Sequence, residues 1–237
     1  KHILEQQVYG FAPSEIIYRI ARNFVFGFDE KVAKNINDAH IVCLDTTPYA
    51  KGQGDFEATC KQFFGAKKNM KFDAVVGNPP YQETVQDTSD AAVYNYFYDL
   101  AEKVSSKYCL ISPARFLFNA GNTNKDWNQK MLTDKHIRVA YFNQNSSEVF
   151  PNTDIKGGVA VLYRDERKDF GEIGIFTSFN ELNGIVSKVI NHADFESVIP
   201  IIFLQEKFNL NAVYTDYPNF KTKIGSQGKE KRLTTSI

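Results

Sequence analysis

Four consecutive residues of the sequence suit the binding of an amino group: Asn78, Pro79, Pro80 and Tyr81. The side-chain oxygen of Asn78 and the backbone carbonyl of Pro79 both accept hydrogen bonds, and the prolines stiffen the backbone that holds them. Tyr81 adds a flat face, and stacking a base on such a ring contributes about 1–3 kcal/mol in single-strand binders. The stretch therefore predicts a site for an amine on a planar ring.

The chemistry that suits this Asn-Pro-Pro-Tyr motif (residues 78–81) is the transfer of a group to nitrogen. The motif supplies no nucleophile, no metal-ligand pattern and no paired acid and base, so positioning would provide most of the rate. A simpler interpretation is a turn after a strand, with Tyr81 used for packing. Position favours the binding site, because "FDAVVGN" (residues 72–78) is a predicted strand and open α/β sheets bind ligands beyond the carboxyl ends of strands.

The elements around the motif alternate between strand-like and helix-like patterns up to about residue 169. Strands are predicted at residues 6–11, 39–45, 72–78, 108–117, 138–144 and 157–166, and helices at 14–28, 91–106, 126–137 and 180–193. This alternation predicts an α/β fold with a mostly parallel sheet. The strands at 138–144 and 157–166 lack a helix between them, which predicts an antiparallel hairpin at the sheet edge. Residues 172–179 suggest one more strand, and Ser14 a helix cap.

Composition adds bounds rather than a function. The chain has 237 residues, 43% of them hydrophobic, and a formal net charge of zero, so no overall field is directed at nucleic acid, although a local basic face remains compatible. The three cysteines lack metal-ligand spacing and predict a reduced, cytoplasmic protein without a metal. No apolar run reaches the roughly 18 residues of a membrane helix.

The string "FDAVVGNPPYQ" (residues 72–82) resembles the catalytic motif of amino-group methyltransferases that use S-adenosylmethionine (SAM), above all DNA adenine-N6 methyltransferases. The resemblance implies a Rossmann-like sheet, SAM as co-substrate and double-stranded DNA as partner. Asn78 and the Pro79 carbonyl would hold the adenine amine, and Tyr81 would stack on a base flipped at a cost of a few kcal/mol. Methyltransferases of ribosomal RNA guanine and of release-factor glutamine share the motif, so those substrates stay open.

A second string, "EVFPNTDIKGGVAVLYRDE" (residues 148–166), is similar to a hairpin motif in methyltransferases of bacterial restriction–modification systems. The resemblance implies that Phe150 lines the target-base pocket, while core packing is an equal alternative. Gly157-Gly158 would let the backbone approach a neighbour closely. Arg115, at the end of a predicted strand, is a candidate phosphate contact. A restriction endonuclease domain or subunit is the further partner that this resemblance implies.

The resemblance also implies an order of parts along the chain, with the SAM motifs first, the catalytic motif next and the target-recognition domain last. This order predicts a partial methyltransferase domain at residues 1–169 and the start of a target-recognition region at 170–237. Asp45 matches the acid that contacts the SAM adenine, with a cap or turn acid as the alternative. Ala12 stands near the position of the family's ribose-binding acid, which Glu15 replaces only if the turn is reshaped.

The Gly-rich loop that begins the family's SAM site has no match in the sequence. We therefore predict a sheet that is incomplete at its N-terminal side and poor or no SAM binding by this chain. A DNA-binding or specificity module that keeps the fold but has lost SAM binding is the alternative outside the enzyme class.

Overall fold

The computed structural model describes residues 2–28, 40–65, 71–83, 91–202 and 210–222. Two compact units divide the chain, Lys1–Val186 and Ser187–Ile237. The functional division expected between residues 169 and 170 stays a prediction. In the first unit the strands are β1 (Gly10–Ala12), β2 (Ile41–Cys43), β3 (Val75–Gly77), β4 (Gln82–Glu83), β5 (Ala91–Ala92), β6 (Lys107–Pro113), β7 (Ile137–Asn143) and β8 (Val159–Asp165). Its helices are α1 (His2–Gln6), α2 (Glu15–Phe26), α3 (Thr47–Ala50), α4 (Phe56–Phe64), α5 (Tyr94–Val104), α6 (Lys125–Thr133) and the beginning of α7 (Asn180–Ile190).

The larger sheet has four strands in the order β3-β6-β8-β7. β3 pairs in parallel with β6, whereas β8 is antiparallel to both of its neighbours. β3, β6 and β7 therefore point the same way, and the predicted α/β class with a mostly parallel sheet is confirmed. The predicted hairpin is confirmed as well, since β7 and β8 pair along their length with an irregularity between Val139 and Tyr141.

A second, smaller sheet contains β1 and β2, which pair in parallel and are connected through α2. The strand predicted at residues 6–11 begins later than expected, because α1 occupies the preceding residues and β1 starts at Gly10. Ser14 caps α2 as predicted, with its hydroxyl accepting a 3.5 Å hydrogen bond from the backbone of Ile17. Within the described residues, β1 pairs only with β2 and β3 only with β6, so each strand has one open edge.

The core of the first unit lies between the four-stranded sheet and helices α5 and α6. Apolar side chains recur at helical spacing on both helices, Tyr94, Tyr98 and Ala101 on α5, and Trp127, Met131 and Leu132 on α6. Full burial of a large apolar side chain contributes about 1.5–3 kcal/mol. Tyr98 is fully buried, and its hydroxyl shares a 3.0 Å hydrogen bond with the Ser112 hydroxyl of β6, which removes the penalty of an unpaired polar group.

The strand predicted at residues 172–179 is wrong: the structure has irregular backbone there. Gly174 has φ +58, a left-handed conformation that a β-strand does not accommodate. Its N–H donates a 2.9 Å hydrogen bond to the carbonyl of Leu132 at the end of α6. Ile173 and Phe176 pack against the core, and the Phe176 ring lies 5.1 Å from that of Phe142. The apolar residues at 172–179 therefore belong to an irregular segment that packs against the core without joining the sheet.

The second unit is described at residues 187–202 and 210–222. It contains the end of α7, a 3-10 turn (Ile199–Ile201), α8 (Leu210–Asp216) and a second 3-10 turn (Pro218–Thr222). Over the parts of the chain that the structure describes, no helix combines the length and apolar character needed to cross a membrane.

Candidate active site

The first unit contains a large cavity at the carboxyl ends of β3 and β6. Its volume is about 2050 Å³, well above the ~300–1,000 Å³ of ordinary small-molecule pockets. All four residues of the Asn-Pro-Pro-Tyr motif border it. The sequence predicted that the motif lies at the carboxyl end of a strand, and the structure confirms this position.

The motif is fixed by strand pairing on both sides. Before it, Gly77 ends β3 in register with Leu110 of β6. After it, Gln82 of β4 pairs with Ala92 of β5, and the Val93 N–H donates a 3.1 Å hydrogen bond to the Tyr81 carbonyl. The four residues between these ladders have little freedom to move, as acceptors that orient a substrate require.

Within the motif, Pro79 is buried whereas Asn78 and Pro80 are exposed. Asn78 is therefore accessible to a ligand, whereas Pro79 is covered by neighbouring residues. The individual roles of Asn78, Pro79, Pro80 and Tyr81 stay predictions.

Tyr81 is half-buried and packs against the core cluster while it borders the cavity. Its hydroxyl oxygen is shielded from solvent and has no hydrogen-bond partner of standard geometry among the described residues. Burial raises the pKa of Tyr81 to about 12, and the nearby Asn78 side chain offsets part of that rise. The ring is therefore neutral at physiological pH. The packing alternative that the sequence posed for Tyr81 is thus realised, and the contact of its ring with a ligand stays a prediction.

Asp45 follows β2 and borders the same cavity as the motif. One carboxylate oxygen accepts a 2.9 Å hydrogen bond from the Thr47 N–H at the start of α3. The turn-acid alternative is thus realised, and the position at the cavity is compatible with the predicted contact to a nucleoside. Its part in SAM binding stays a prediction.

The acid that the family places after the second strand has no counterpart here. Ala12 ends β1 and is 2% exposed. Glu15 lies on α2, where its carboxylate accepts a 2.8 Å hydrogen bond from the Arg19 guanidinium. The turn is not reshaped to bring Glu15 to the cavity.

Phe150 lies in the loop between β7 and β8 and is half-buried. The loop is folded around the buried Ser146, whose hydroxyl accepts a 2.8 Å hydrogen bond from the Ile155 N–H. Ile155 and its neighbours Asp154 and Lys156 border the cavity. The structure brings this loop to the site through those residues, and the proposed contact of Phe150 with the target base stays a prediction.

The close approach predicted for Gly157-Gly158 is confirmed. A Cβ atom on Gly158 would lie 2.3 Å from the Asn143 carbonyl oxygen, and one on Gly157 would lie 2.4 Å from Cγ of Arg115. Both glycines have left-handed φ values, +88 and +80. Glycine at both positions lets the loop pass directly over the ends of β6 and β7.

Sequence reasoning missed Tyr94, a buried residue at the start of α5 that also borders the cavity. Burial raises its pKa to about 12, and a hydrogen bond with Thr123 and the charge of Arg115 oppose the rise. It also missed the pairing of β4 with β5, because two-residue strands carry no periodic pattern. Among the described residues, no group of His, Cys, Asp and Glu is arranged to hold a metal ion.

Fold and motif together are those of an α/β domain of the amino-group methyltransferase type, with the Asn-Pro-Pro-Tyr motif at a strand end. Residues 6–150 match the Eco57I restriction-modification methylase family. That match covers more than half of the chain, and the chain belongs to this family.

Two similar proteins, one a sequence match and one a structural neighbour, are longer than the part that this chain covers. It is 33% identical over 110 residues to an uncharacterized adenine-specific methylase of Mycoplasma pneumoniae, covering 44% of this chain and 25% of that protein. A nuclease-deletion mutant of the Type ISP restriction-modification enzyme LlaGI, solved with a DNA substrate mimic, superposes with a TM-score of 0.50 at 12% identity. That match covers 79% of this chain and 20% of that one, and at such identity it shows the fold alone. The chain spans a quarter or less of the length of both.

Proposed function

We propose that the chain carries the adenine-binding part of a SAM-dependent DNA adenine-N6 methyltransferase in a restriction–modification system. Family membership and the relative named an adenine-specific methylase support the proposal. The observation that carries it is the fixed position of Asn78 and Pro79 beside Tyr81, between two strand ladders and at the wall of a wide cavity.

The motif residues act by orienting the acceptor. The Asn78 side-chain oxygen and the Pro79 carbonyl each accept a hydrogen bond from one N–H group of the adenine amine, which leaves the nitrogen lone pair free to face the methyl donor. Tyr81 supports the ring, and its neutral state at physiological pH suits stacking on an uncharged base. Because these contacts are preorganised, little reorganisation accompanies the reaction.

SAM supplies the methyl group. The amine lone pair forms the new nitrogen–carbon bond, the carbon–sulfur bond breaks with its electrons left on sulfur, and the released amine proton passes to solvent. No covalent intermediate with the protein is needed, in keeping with the absence of a nucleophile from the motif.

The wide cavity fits a flipped nucleotide better than a small free metabolite. An adenine inside a duplex is inaccessible to Asn78, so the base must leave the stack at a cost of a few kcal/mol. A cavity of about 2050 Å³ has room for the nucleotide and part of its strand. Residues 170–237 are proposed to begin the target-recognition region, with a nuclease domain or subunit as further partner.

The donor side of the site is only partly built by this chain. Asp45 at the cavity fits a nucleoside contact, but Ala12 offers no carboxylate and Glu15 is paired with Arg19. We therefore expect isothermal titration of this chain with SAM to give no micromolar binding. A micromolar dissociation constant would overturn this part of the proposal.

Replacement of Asn78 by Ala in the complete gene product tests the acceptor site. Loss of one preorganised hydrogen-bond partner is expected to lower the rate of methyl transfer about 10²–10³-fold or more. Transfer of tritiated methyl from SAM to duplex DNA measures the rate, and fluorescence anisotropy with labelled duplex is expected to show nearly unchanged binding. Asn78→Asp is the matched variant: it keeps an acceptor oxygen and should retain part of the activity. Full turnover by Asn78→Ala would refute the assignment.

A DNA-binding or specificity module is the second candidate, and the missing ribose-binding acid favours it. On that hypothesis the complete gene product binds duplex DNA but transfers no methyl group from SAM. RNA and release-factor glutamine serve as alternative acceptors in the same assay, since transfer to either of them and not to DNA would reassign the substrate.

A further inference from the structure

Arg115 lies at the mouth of the catalytic cavity. It lies two residues after the end of β6 and opens the 3-10 turn Arg115–Phe118. Because β3 and β6 are parallel, Arg115 lies at the same end of the sheet as the Asn-Pro-Pro-Tyr motif that follows β3. Arg115 is exposed and borders the cavity together with Asn78 and Tyr81. A cation in this place faces whatever molecule brings a base to the site.

Two glycines form the walls of a channel through which the Arg115 side chain runs. A Cβ on Gly121 would lie 3.2 Å from Cβ of Arg115, and a Cβ on Gly157 would lie 2.4 Å from its Cγ. The glycines come from different loops, the one after β6 and the one before β8. A larger residue at Gly157 would occupy the space through which the Arg115 side chain runs. The two glycines therefore leave this path open to Arg115.

One wall of the channel is braced by a polar network. The Thr123 hydroxyl donates a 2.6 Å hydrogen bond to the Asn128 side-chain oxygen, and the Asn128 amide donates a 3.2 Å hydrogen bond to Asn119. Asn128 is fully buried on α6. Since a satisfied buried network is rigid, the loop that carries Gly121 is held to the helix.

Among the described residues, the guanidinium of Arg115 lacks the carboxylate partner that Arg164 and Arg19 have in the same unit. Arg164 donates a 3.0 Å hydrogen bond to Asp134, and Arg19 is paired with Glu15. Across the described part of the chain, no ion pair or hydrogen bond of the Arg115 guanidinium is found. Lys71 and Lys156 add positive charges at the cavity wall, and three acids border the same cavity, Asp45, Asp73 and Asp154.

We propose that Arg115, directed by the Gly121–Gly157 channel, binds a backbone phosphate of the DNA strand whose adenine enters the cavity. This inference rests on the proposed function and names a contact to its substrate. The planar guanidinium matches a phosphate diester with two parallel hydrogen bonds, which lysine does not reproduce. The phosphate next to the flipped nucleotide is thereby held while Asn78 holds the amine.

The test uses the chain itself with a fluorescein-labelled duplex, measured by anisotropy over a series of NaCl concentrations. Each phosphate neutralised by a protein cation contributes about one unit to the slope of log K against log [salt]. We expect Arg115→Ala to reduce the magnitude of that slope by about one and to weaken binding of all sequences alike.

Arg138→Ala is the matched control. Arg138 is exposed and lies at the beginning of β7, the outer strand on the side of the sheet away from β3. Its guanidinium lies over the rings of Tyr163 and Phe170. The substitution removes the same charge, so an effect of net charge alone would lower both slopes equally. We expect the slope of Arg138→Ala to equal that of the unaltered chain.

Two further variants examine geometry. Arg115→Lys keeps the charge, so the slope is expected to stay while affinity falls several-fold through loss of the paired hydrogen bonds. Gly157→Ala should reproduce the slope of Arg115→Ala by displacing the side chain, with circular dichroism to verify folding. If Gly157→Ala does not fold, the comparison of Arg115→Ala with Arg138→Ala still decides.

An unchanged slope in Arg115→Ala, with duplex bound by the unaltered chain, overturns the phosphate contact and leaves the proposed function intact. An equal fall in both alanine variants also overturns it. No binding of duplex by the unaltered chain overturns the contact together with the DNA-directed function of this chain.

Discussion

Lys51, the residue that follows α3, forms an ion pair with Glu83 of β4, two residues beyond Tyr81. The pair links the short helix that follows Asp45 to the strand that follows the Asn-Pro-Pro-Tyr motif. It therefore ties the two predicted halves of the site, the nucleoside contact and the amine contact, through one partly buried interaction.

Lys51→Ala tests that link. Because the partners are 23% and 40% exposed, the free energy of unfolding is expected to fall only by about 0.2–1 kcal/mol. The rate of methyl transfer by the complete gene product should fall by more than the small loss of folded protein accounts for, because the ion pair that holds the strand after the motif is lost. Lys61→Ala, which breaks the exposed pair with Glu57 on α4, is the control with the same charge change. Equal methylation rates in the two variants would contradict the link.

Tyr81→Phe keeps the ring and removes a buried hydroxyl that lacks a standard partner. Removing an unpaired buried polar group is neutral or stabilising, so we expect an unchanged or slightly higher free energy of unfolding in urea. Methylation should persist, since the ring face performs the stacking. Tyr81→Ala should weaken binding of target duplex by about 1–3 kcal/mol. A large loss of activity in Tyr81→Phe would show that the hydroxyl takes part in the site.

We expect stability to fall at alkaline pH, because burial, partial for Tyr81 and nearly complete for Tyr94, raises the pKa of both tyrosines. The pKa values of Tyr81 and Tyr94 are raised to about 12 in the folded chain, from 10.0. Between these values the folded state keeps protons that the unfolded state has lost, so the free energy of unfolding decreases as pH rises from about 10 to 12. Cys60, raised to about 11 from 9.0, acts in the same direction from about pH 9.

Urea midpoints measured between pH 8 and pH 11.5 check this dependence. Tyr94→Phe removes one titrating group and is expected to flatten the decline above pH 10, with about 1.4 kcal/mol for each pKa unit as the upper scale. A decline of the same steepness in Tyr94→Phe and the unaltered chain would contradict the assignment to Tyr94.

Gly158→Ala separates steric contact from backbone strain when it is compared with Gly171→Ala. Both glycines have similar positive φ values, +80 and +77, but only a Cβ on Gly158 meets a neighbour, the Asn143 carbonyl at 2.3 Å. Gly171→Ala should lower the free energy of unfolding by about 1–2 kcal/mol, and Gly158→Ala by a further ~1–3 kcal/mol or more. Chemical denaturation of both variants gives the difference, and equal losses would exclude the close approach.

The parts of the fold with a strong local signal could be predicted from the sequence. The Ser14 cap, the α/β alternation and the β7–β8 hairpin depend on capping chemistry and apolar period, which are written in neighbouring residues. The close approach at Gly157-Gly158 followed from the absence of side chains there.

What the sequence did not disclose depends on partners distant along the chain. Residues 172–179 are as apolar as a strand, but Gly174 bends the backbone and Phe176 finds a pocket beside Phe142. The channel around Arg115 requires glycines from two loops to meet at one side chain, which no spacing in one segment reveals.

Within the described residues, β1 and β3 each have one edge that pairs with no other strand, and this has a consequence for the behaviour of the chain in solution. Both strands border the same cavity, and Val76 of β3 is 78% exposed. Unpaired strand edges with apolar side chains are templates on which another extended segment adds by backbone hydrogen bonds. We expect this wall of the cavity to promote self-association that rises with protein concentration, and a segment that pairs with the two edges to keep the chain soluble.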